Sequence, residues 1–277
     1  MKRVYLGNKE LATIATVTNG GGGGDDTQKW VDYFNGTLTK FTVPEGVTKI
    51  RDYAFYDCSS LTSVTISESV TSIGSHTFDR CSSLTGLTIP NSVISIGDYG
   101  LAACNSITSI TIPDSVSSIG QSCFESSSGL KSIRLGNGIK NIPRNAFKNC
   151  SKLESIDISD SVTSIGDYAF NCCSSLTDIT IPDSVTSIWD FAFAECSSLS
   201  SVTIGKGVTD IKFFAFNNDY SLSSVTIKNS ASKIKYDDAF YRISSSAKLY
   251  VPSNLLSDYQ ADSNWTGAFK GGIYAIQ

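Results

Sequence analysis

Eight cysteines and a single histidine are the residues of this 277-residue chain whose types could do chemistry. Six cysteines are evenly placed, with Cys58, Cys81 and Cys104 in one run, Cys150, Cys173 and Cys196 in another, and Ser127 at the step between. The interval is 23 residues throughout. Zinc sites draw on tight C-x-x-C pairs, and the sequence contains none. An even long spacing instead stacks neighbours one strand spacing apart, inside the Cα window of a disulfide. Each run holds three cysteines, however, so pairing always strands one. The expectation is a buried column of reduced thiols packing as small apolar groups. Cys123 and Cys172 fall off that column and are the candidates for more accessible thiols, although nothing marks either as a nucleophile.

His76 occupies a step at which other copies hold Tyr53, Tyr99, Tyr168, Phe191 and Phe214, so it reads as a replacement for an aromatic. Acid–base catalysis needs a convergent second group, and the sequence offers none beside it. Serine and threonine are abundant, but a hydroxyl nucleophile needs a base, and the one imidazole is already explained. Calcium loops of the D-x-D-x-D-G type are missing, and Gly20 to Gly24 lacks the Lys-Ser/Thr of a phosphate loop. No catalytic residue, metal ligand or cofactor site is therefore expected. The charge balance is mild, 22 basic against 26 acidic residues, with no basic run to suit nucleic acid or an anionic membrane. No stretch of about 18 apolar residues is present to span a bilayer.

The elements that position these residues come from a repeat. A 23-residue unit, L-x-x-I-x-I-P-x-S-V-x-S-I-G-x-x-A-F-x-x-C-S-S, starts at Leu38, Leu61, Leu84, Ile107, Leu130, Leu153, Leu176, Leu199 and Leu222. Unit position 13 is isoleucine in every copy, from Ile50 to Ile234. Position 18 is Phe55, Phe78, Phe124, Phe147, Phe170, Phe193 and Phe216, with Leu101 in one copy and Phe240 a step late in the last. One unit has too little apolar surface to fold alone, whereas stacked units bury continuous columns. Positions 1, 4 and 6 point inward and 2 and 5 outward, which is a strand. A second short strand covers V-x-S-I, and A-F-x-x-C reads as a helical or 3₁₀ turn. Between the strands lies a Pro-Asp-Ser turn, or paired glycines (Gly136 and Gly138, Gly205 and Gly207) that suggest altered dihedrals. The predicted architecture is a repeat solenoid, mainly β with short helical turns, whose nine coils make a rod roughly 40 Å long.

This unit resembles the BspA-like, or treponemal-type, leucine-rich repeat over roughly residues 38 to 246. The stretch from Leu249-Tyr250-Val251-Pro252 through Ile276 resembles the closing module of that family. The resemblance implies a right-handed leucine-rich-repeat superhelix. It also implies bacterial cell-surface or extracellular proteins, several of which adhere to host matrix proteins or to other cells. It carries no catalytic residues.

The ends follow a different logic, because a solenoid must cap its terminal coils. Trp30, Val31, Tyr33 and Phe34 are the candidate N-terminal cap. Leu255, Tyr259, Trp265, Phe269, Ile273 and Tyr274 are the C-terminal one, with Pro252-Ser253 opening a short helix. The expected organisation is a hairpin or tether at 1–18, a Gly-rich linker at 19–27, the capped solenoid at 28–246 and a closing module at 247–277. The hairpin would pair Val4-Tyr5-Leu6 with Ile14-Ala15-Thr16-Val17 and dock on a partner or a second copy, since two strands alone are marginal. Gly7-Asn8-Lys9-Glu10 interrupts any secretory h-region, which departs from the surface family.

Partner binding belongs to outward positions that depart from the unit. Position 5 is a threonine ladder of Thr42, Thr65, Thr88, Thr111, Thr180, Thr203 and Thr226, broken by Arg134 beside Asp157, with Lys131 beside Glu154 nearby. These charges read as cross-strand pairs. Trp189 stands where most coils hold glycine or a polar residue, with Phe191 beside it and Lys212, Phe213 and Phe214 one coil on. Those five residues are the candidate partner-binding site. The expected function is non-enzymatic binding or adhesion to a protein or glycan. The alternative is a structural or assembly component, of a surface layer, particle or phage, tethered through its N-terminal segment.

Overall fold

The computed structural model describes residues 5–6, 9–10 and 36–276. Apolar residues at unit positions 1, 4 and 6 face inward because a strand alternates its side chains. In the first coil Leu38, Phe41 and Val43 are buried, while Thr39 and Thr42 are exposed. These strands run from Lys40–Thr42 in the first coil to Ser224–Ile227 in the ninth, continuing through Lys248–Val251 and Ile273–Ala275. They stack parallel and in register, so that Ile133 lies opposite both Ile110 and Ile156. A second ladder joins the short strands from Lys49–Ile50 to Lys235–Tyr236. The core is one continuous cluster of inward Leu, Ile, Val, Phe and Cys from Leu38 to Ile273.

The A-F-x-x-C segment differs from the expected helical turn. In every coil two residues take left-handed backbone, at positions 16 and 20 in the first eight, as in Tyr53 (φ 61°) with Asp57 (φ 58°) and Phe191 (φ 54°) with Glu195 (φ 63°), and one step later, at Asp238 and Arg242, in the ninth. This alternation points the N–H groups of positions 16, 18 and 20 at the next coil. Tyr53, Phe55 and Asp57 donate to the carbonyls of Ser75, Thr77 and Asp79 at 2.8–2.9 Å. The residues between them donate within their own coil, as Ala54 does to Arg51 and Tyr56 to Tyr53. The segment is thus a third intercoil ladder built from turns. Helices occur, among the described residues, only in the closing module.

The third ladder runs unbroken from the first coil to the ninth, whereas both strand ladders are interrupted. The first ladder breaks between Gly86–Leu87 and Ser109–Thr111, and again between Ser155–Asp157 and Asp178–Ile181. The second breaks between Ser118–Ile119 and Asn141–Ile142. Gly74, Gly97, Gly120 and Gly166, at position 14, donate to the isoleucine carbonyl of the preceding coil at 2.8–2.9 Å. Pro143 holds that position in the fifth coil and has no N–H to give. The breaks fall at different junctions, so every pair of coils keeps two of its three ladders.

Abundant hydroxyls act in the same direction. At position 2, Thr62 Oγ1 donates to the Thr39 carbonyl at 2.8 Å, and Ser223 Oγ to that of Ser200 at 3.1 Å. At position 11, Thr163 Oγ1 donates to the Lys140 carbonyl at 3.1 Å. Serine and threonine are frequent because they bridge coil to coil. The paired glycines have a different cause from the one expected. None of the four has positive φ; a Cβ on Gly138 would stand 2.3 Å from the Val116 carbonyl oxygen, and one on Gly207 2.2 Å from that of Asp183. They allow close approach of the preceding coil rather than unusual dihedrals.

The rings at position 18 stack along the axis, with Phe124, Phe147, Phe170, Phe193, Phe216 and Phe240 separated by 4.9–5.3 Å. Phe240 then meets Phe269 at 5.0 Å and Trp265 at 5.9 Å, which closes the core. A 3₁₀ turn at Ser253–Leu255 leads into helices α1 (Leu256–Gln260) and α2 (Ser263–Ala268). Tyr259, Trp265 and Phe269 are buried there, while Tyr274, grouped with them from sequence, is 44% exposed. The ninth coil is irregular. Tyr236 rather than Ile234 pairs with Ile211, and Ile234 is buried two residues earlier with its N–H on Tyr259 Oη at 3.0 Å.

At the other end Tyr5–Leu6 pairs antiparallel with Lys9–Glu10, so the second strand of the hairpin lies earlier than the expected residues 14–17. Leu6 pairs with Ile50, so the hairpin extends the second ladder of its own first coil instead of standing free. Residues 14–17, the glycine run and the cap candidates Trp30, Val31, Tyr33 and Phe34 lie outside the described residues.

Candidate interaction surface

The third ladder sets the surface geometry, because left-handed backbone at position 16 presents its side chains as a regular ridge. Intercoil spacing brings consecutive rings face to face. His76 is stacked between Tyr53 at 4.7 Å and Tyr99 at 4.6 Å, and its Nδ1 lies 2.8 Å from Asp79 Oδ2. The imidazole fills the place of a ring in the stack, as its position in the unit indicates, but the sequence reading missed the second group beside it, the Asp79 carboxylate three residues on. Ser122 and Asn145 interrupt the stack, which resumes with Tyr168 and Phe191 at 4.9 Å. It continues from Phe214 to Tyr241 at 5.2 Å.

The five residues singled out from sequence fall on this second stretch. Phe191 meets Phe213 and Phe214 edge-on at 5.9 and 5.6 Å, and Phe213 stacks on Phe214 with centroids 3.8 Å apart. Trp189 is 45% exposed and Phe213 37%, while Phe191 and Phe214 are half-buried. Lys212 Nζ stands 6.0 Å from the Trp189 ring centroid and 2.6 Å from Asp210 Oδ2, whose carboxylate raises the ammonium above its ordinary value. The structure therefore brings the three phenylalanines into one cluster and joins Trp189 to it by way of Lys212. At the glycine position that Trp189 occupies, other coils are tightly packed; a Cβ on Gly120 would lie 2.2 Å from Asp98 N. The ladder survives the substitution, because the Trp189 N–H still donates to Ile165 at 3.0 Å.

Sequence reasoning missed one member of this surface. Tyr241 stacks on Phe214 and is 47% exposed. It gave no signal because its carbonyl accepts from Asn218 as that of Asp79 does from Asp57, which places it at unit position 19, where the preceding coils hold Asn171, Ala194 and Asn217 rather than a ring. Of the charged candidates, Lys131 and Glu154 meet at 3.6 Å across exposed strands. Arg134 pairs in register with Asp157, yet its ion pair at 3.7 Å is with Asp114 on the preceding coil. The threonine ladder continues at its C-terminal end into aromatics, since Thr180, Thr203, Thr226, Tyr250 and Tyr274 share one register column.

The cysteines are all free, and Cys172 alone among them is half-exposed. Cys123, a candidate for accessibility, is fully buried. In the column, Cys81, Cys150, Cys173 and Cys196 each donate Sγ–H at 3.1–3.2 Å to the position-18 carbonyl of the preceding coil. Ser127 makes the same bond at 2.8 Å. Burial pushes these thiols up, Cys150 to about 12. Burial and the neighbouring Glu195 carboxylate push the outer Cys172 to about 11, so it is a poor nucleophile.

Stacked 23-residue coils with an inward Leu/Ile column define a leucine-rich-repeat solenoid. The BspA type leucine-rich-repeat region matches residues 32–154 and 140–260, and the chain belongs to that family. Among solved structures, pneumococcal vaccine antigen PcpA is 18% identical with a TM-score of 0.51, over 86% of this chain and 79% of that one. A leucine-rich repeat protein from Bacteroides ovatus is 21% identical (TM-score 0.42; 87% and 84% covered). A leucine rich cell surface protein from Faecalibacterium prausnitzii is 24% identical (TM-score 0.41; 87% and 79% covered). At these identities the likeness is one of fold. No curated protein matches the sequence.

Proposed function

We propose that this chain is a binding or adhesion protein of the cell surface or extracellular space, which offers its aromatic ridge to a protein or glycan. One observation carries the reading. Trp189 and Phe213 are large and exposed on consecutive coils, with Lys212 over the Trp189 ring between them and Phe213 stacked on Phe214. Exposed apolar side chains that cluster, rather than stand singly, mark contact surfaces. The family and the names borne by its structural neighbours, a vaccine antigen and a cell surface protein, support the location. Among the described residues no helix is long and apolar enough to cross a membrane. We assign partner contact to Trp189, Phe191, Lys212, Phe213 and Phe214. The organisation into N-terminal segment, linker, solenoid and closing module belongs to the same proposal.

The test begins with arrays of glycans and matrix proteins probed with the purified chain. Trp189→Ala with Phe213→Ala is then compared with the parent for affinity and for unfolding. An interface anchor contributes about 2 kcal/mol or more, so affinity should fall at least about thirtyfold with unfolding nearly unchanged. Intact affinity in a correctly folded double variant would show that the ridge is not the site. Deleting residues 1–24 separates the assembly alternative, since ligand binding survives that deletion if the ridge is the site and self-assembly fails if the segment is a tether.

A further inference from the structure

Unit position 21 of the eighth coil is Asp219, a carboxyl group in the column otherwise filled by thiols and one serine, and it is fully buried. Ser127 shows what a polar residue must do there. Its Oγ accepts the Cys104 N–H at 3.1 Å and donates to the Leu101 carbonyl at 2.8 Å. Asp219 reproduces the first half, with Oδ1 accepting the Cys196 N–H at 2.8 Å. Elsewhere in the column that N–H donates within its own coil, as Cys173 N does to the Phe170 carbonyl at 3.1 Å. Its diversion to Asp219 frees the Phe193 carbonyl, just as Ser127 frees that of Leu101. The second carboxyl oxygen, Oδ2, is buried without a hydrogen-bond acceptor or donor assigned to it. Phe193 stands 26 residues before Asp219, the offset at which Cys196 donates to Phe170 and Ser127 to Leu101.

We propose that Asp219 stands in the core as a neutral carboxylic acid, its Oδ2–H donated to the Phe193 carbonyl, and that it latches the seventh coil to the eighth in a pH-dependent way. An ionised carboxylate could accept from Cys196 but would set a second negative oxygen beside a carbonyl. The titratable groups facing it from the preceding coil are the Cys196 thiol and the Glu195 carboxylate, neither of which supplies positive charge. On the following coil Ile243 and Ser244 continue the sequence at this column, and Arg242 lies on the exposed ridge. Burial first, and then Glu195, hold the acid well above the ordinary carboxylate range.

The sign follows from linkage. The folded chain keeps a proton that the unfolded chain releases above about pH 4, so Asp219 weakens folding as pH rises towards its raised value. The side-chain amide of an Asp219→Asn variant would accept and donate at the same two places without titrating. Urea unfolding of the full chain and Asp219→Asn is measured from about pH 5 to 8. The ratio of folding constants, parent over variant, should fall up to about tenfold per pH unit, one proton's worth. Infrared difference spectra at neutral pH should show a protonated carboxyl C=O stretch in the parent that the variant lacks. A flat ratio, or no such band, overturns the proposal. Should Asp219→Asn not fold, Asp219→Cys restores the residue of the column and replaces it in both measurements.

Discussion

A cysteine in this solenoid does two things that its spacing alone does not reveal. It fills the core as a small apolar group, and its S–H bridges to a main-chain carbonyl one coil back, at 3.1 Å from Cys150 to Phe124. Ser127 fits the column because it makes the same bond, so Cys150→Ser should be tolerated. Cys150→Ala removes the donor and should cost about 1 kcal/mol in urea unfolding. Thiol accessibility gives a second check at this scale. Native protein should offer Cys172 alone to alkylation near neutral pH, and slowly, because its thiol is pushed up to about 11. Urea should release all eight cysteines. Fast native labelling of Cys81, Cys104 or Cys173 would show that the column is open.

At the scale of the element, the double left-handed turn sets the character of the fold. Positions 16 and 20 hold Tyr, His, Ser, Asn, Phe, Asp, Arg, Ala, Cys and Glu, but no β-branched residue and no proline. That exclusion is the sterics of left-handed backbone written into the sequence. Ala103 (φ 51°) tests it, because its side chain is small and only half-buried. Ala103→Gly should be neutral or stabilising by up to about 1 kcal/mol, the strain relieved being partly offset by unfolded-state entropy. Ala103→Val should destabilise by more than about 1 kcal/mol. A valine variant as stable as the parent would mean that the turn has another conformation. The stacked rings of position 18 are a separate element, and Phe170→Ala, which opens the column between Phe147 and Phe193, should cost about 3–5 kcal/mol.

Across the whole molecule, three ladders with staggered interruptions hold the coils together. The breaks around Leu87, Pro143 and Ile156 leave the turn ladder intact at every junction. The solenoid should therefore open as a unit between the second and eighth coils. Amide hydrogen exchange tests this, with Leu101, Phe124 and Phe170, which donate across the three broken junctions, expected among the slowest. Rapid exchange at one of them would reveal a hinge. The regular rod also explains why the proposed contact surface lies at departures from the unit. Trp189, Phe213 and Tyr241 sit where the repeat changes, near the irregular ninth coil, and there the ridge presents apolar surface that stacking does not consume.

The repeat, its inward columns, the thiol column, the C-terminal cap residues Tyr259, Trp265 and Phe269, and the aromatic departures at Trp189 and Phe213 were all legible in the sequence. The period of side-chain burial depends on local backbone geometry, and a 23-residue recurrence repeats it identically. The two-residue shift that puts Tyr236 where Ile234 was expected was not legible, because the register of an irregular coil is set by its neighbours. Nor was the reason for Gly138 and Gly207, which is the approach of the preceding coil's carbonyls. The left-handed turns and the Asp219 acceptor geometry belong to the same class. In each case the determining partner is a main-chain atom one coil away, and its position exists only once the coils are stacked.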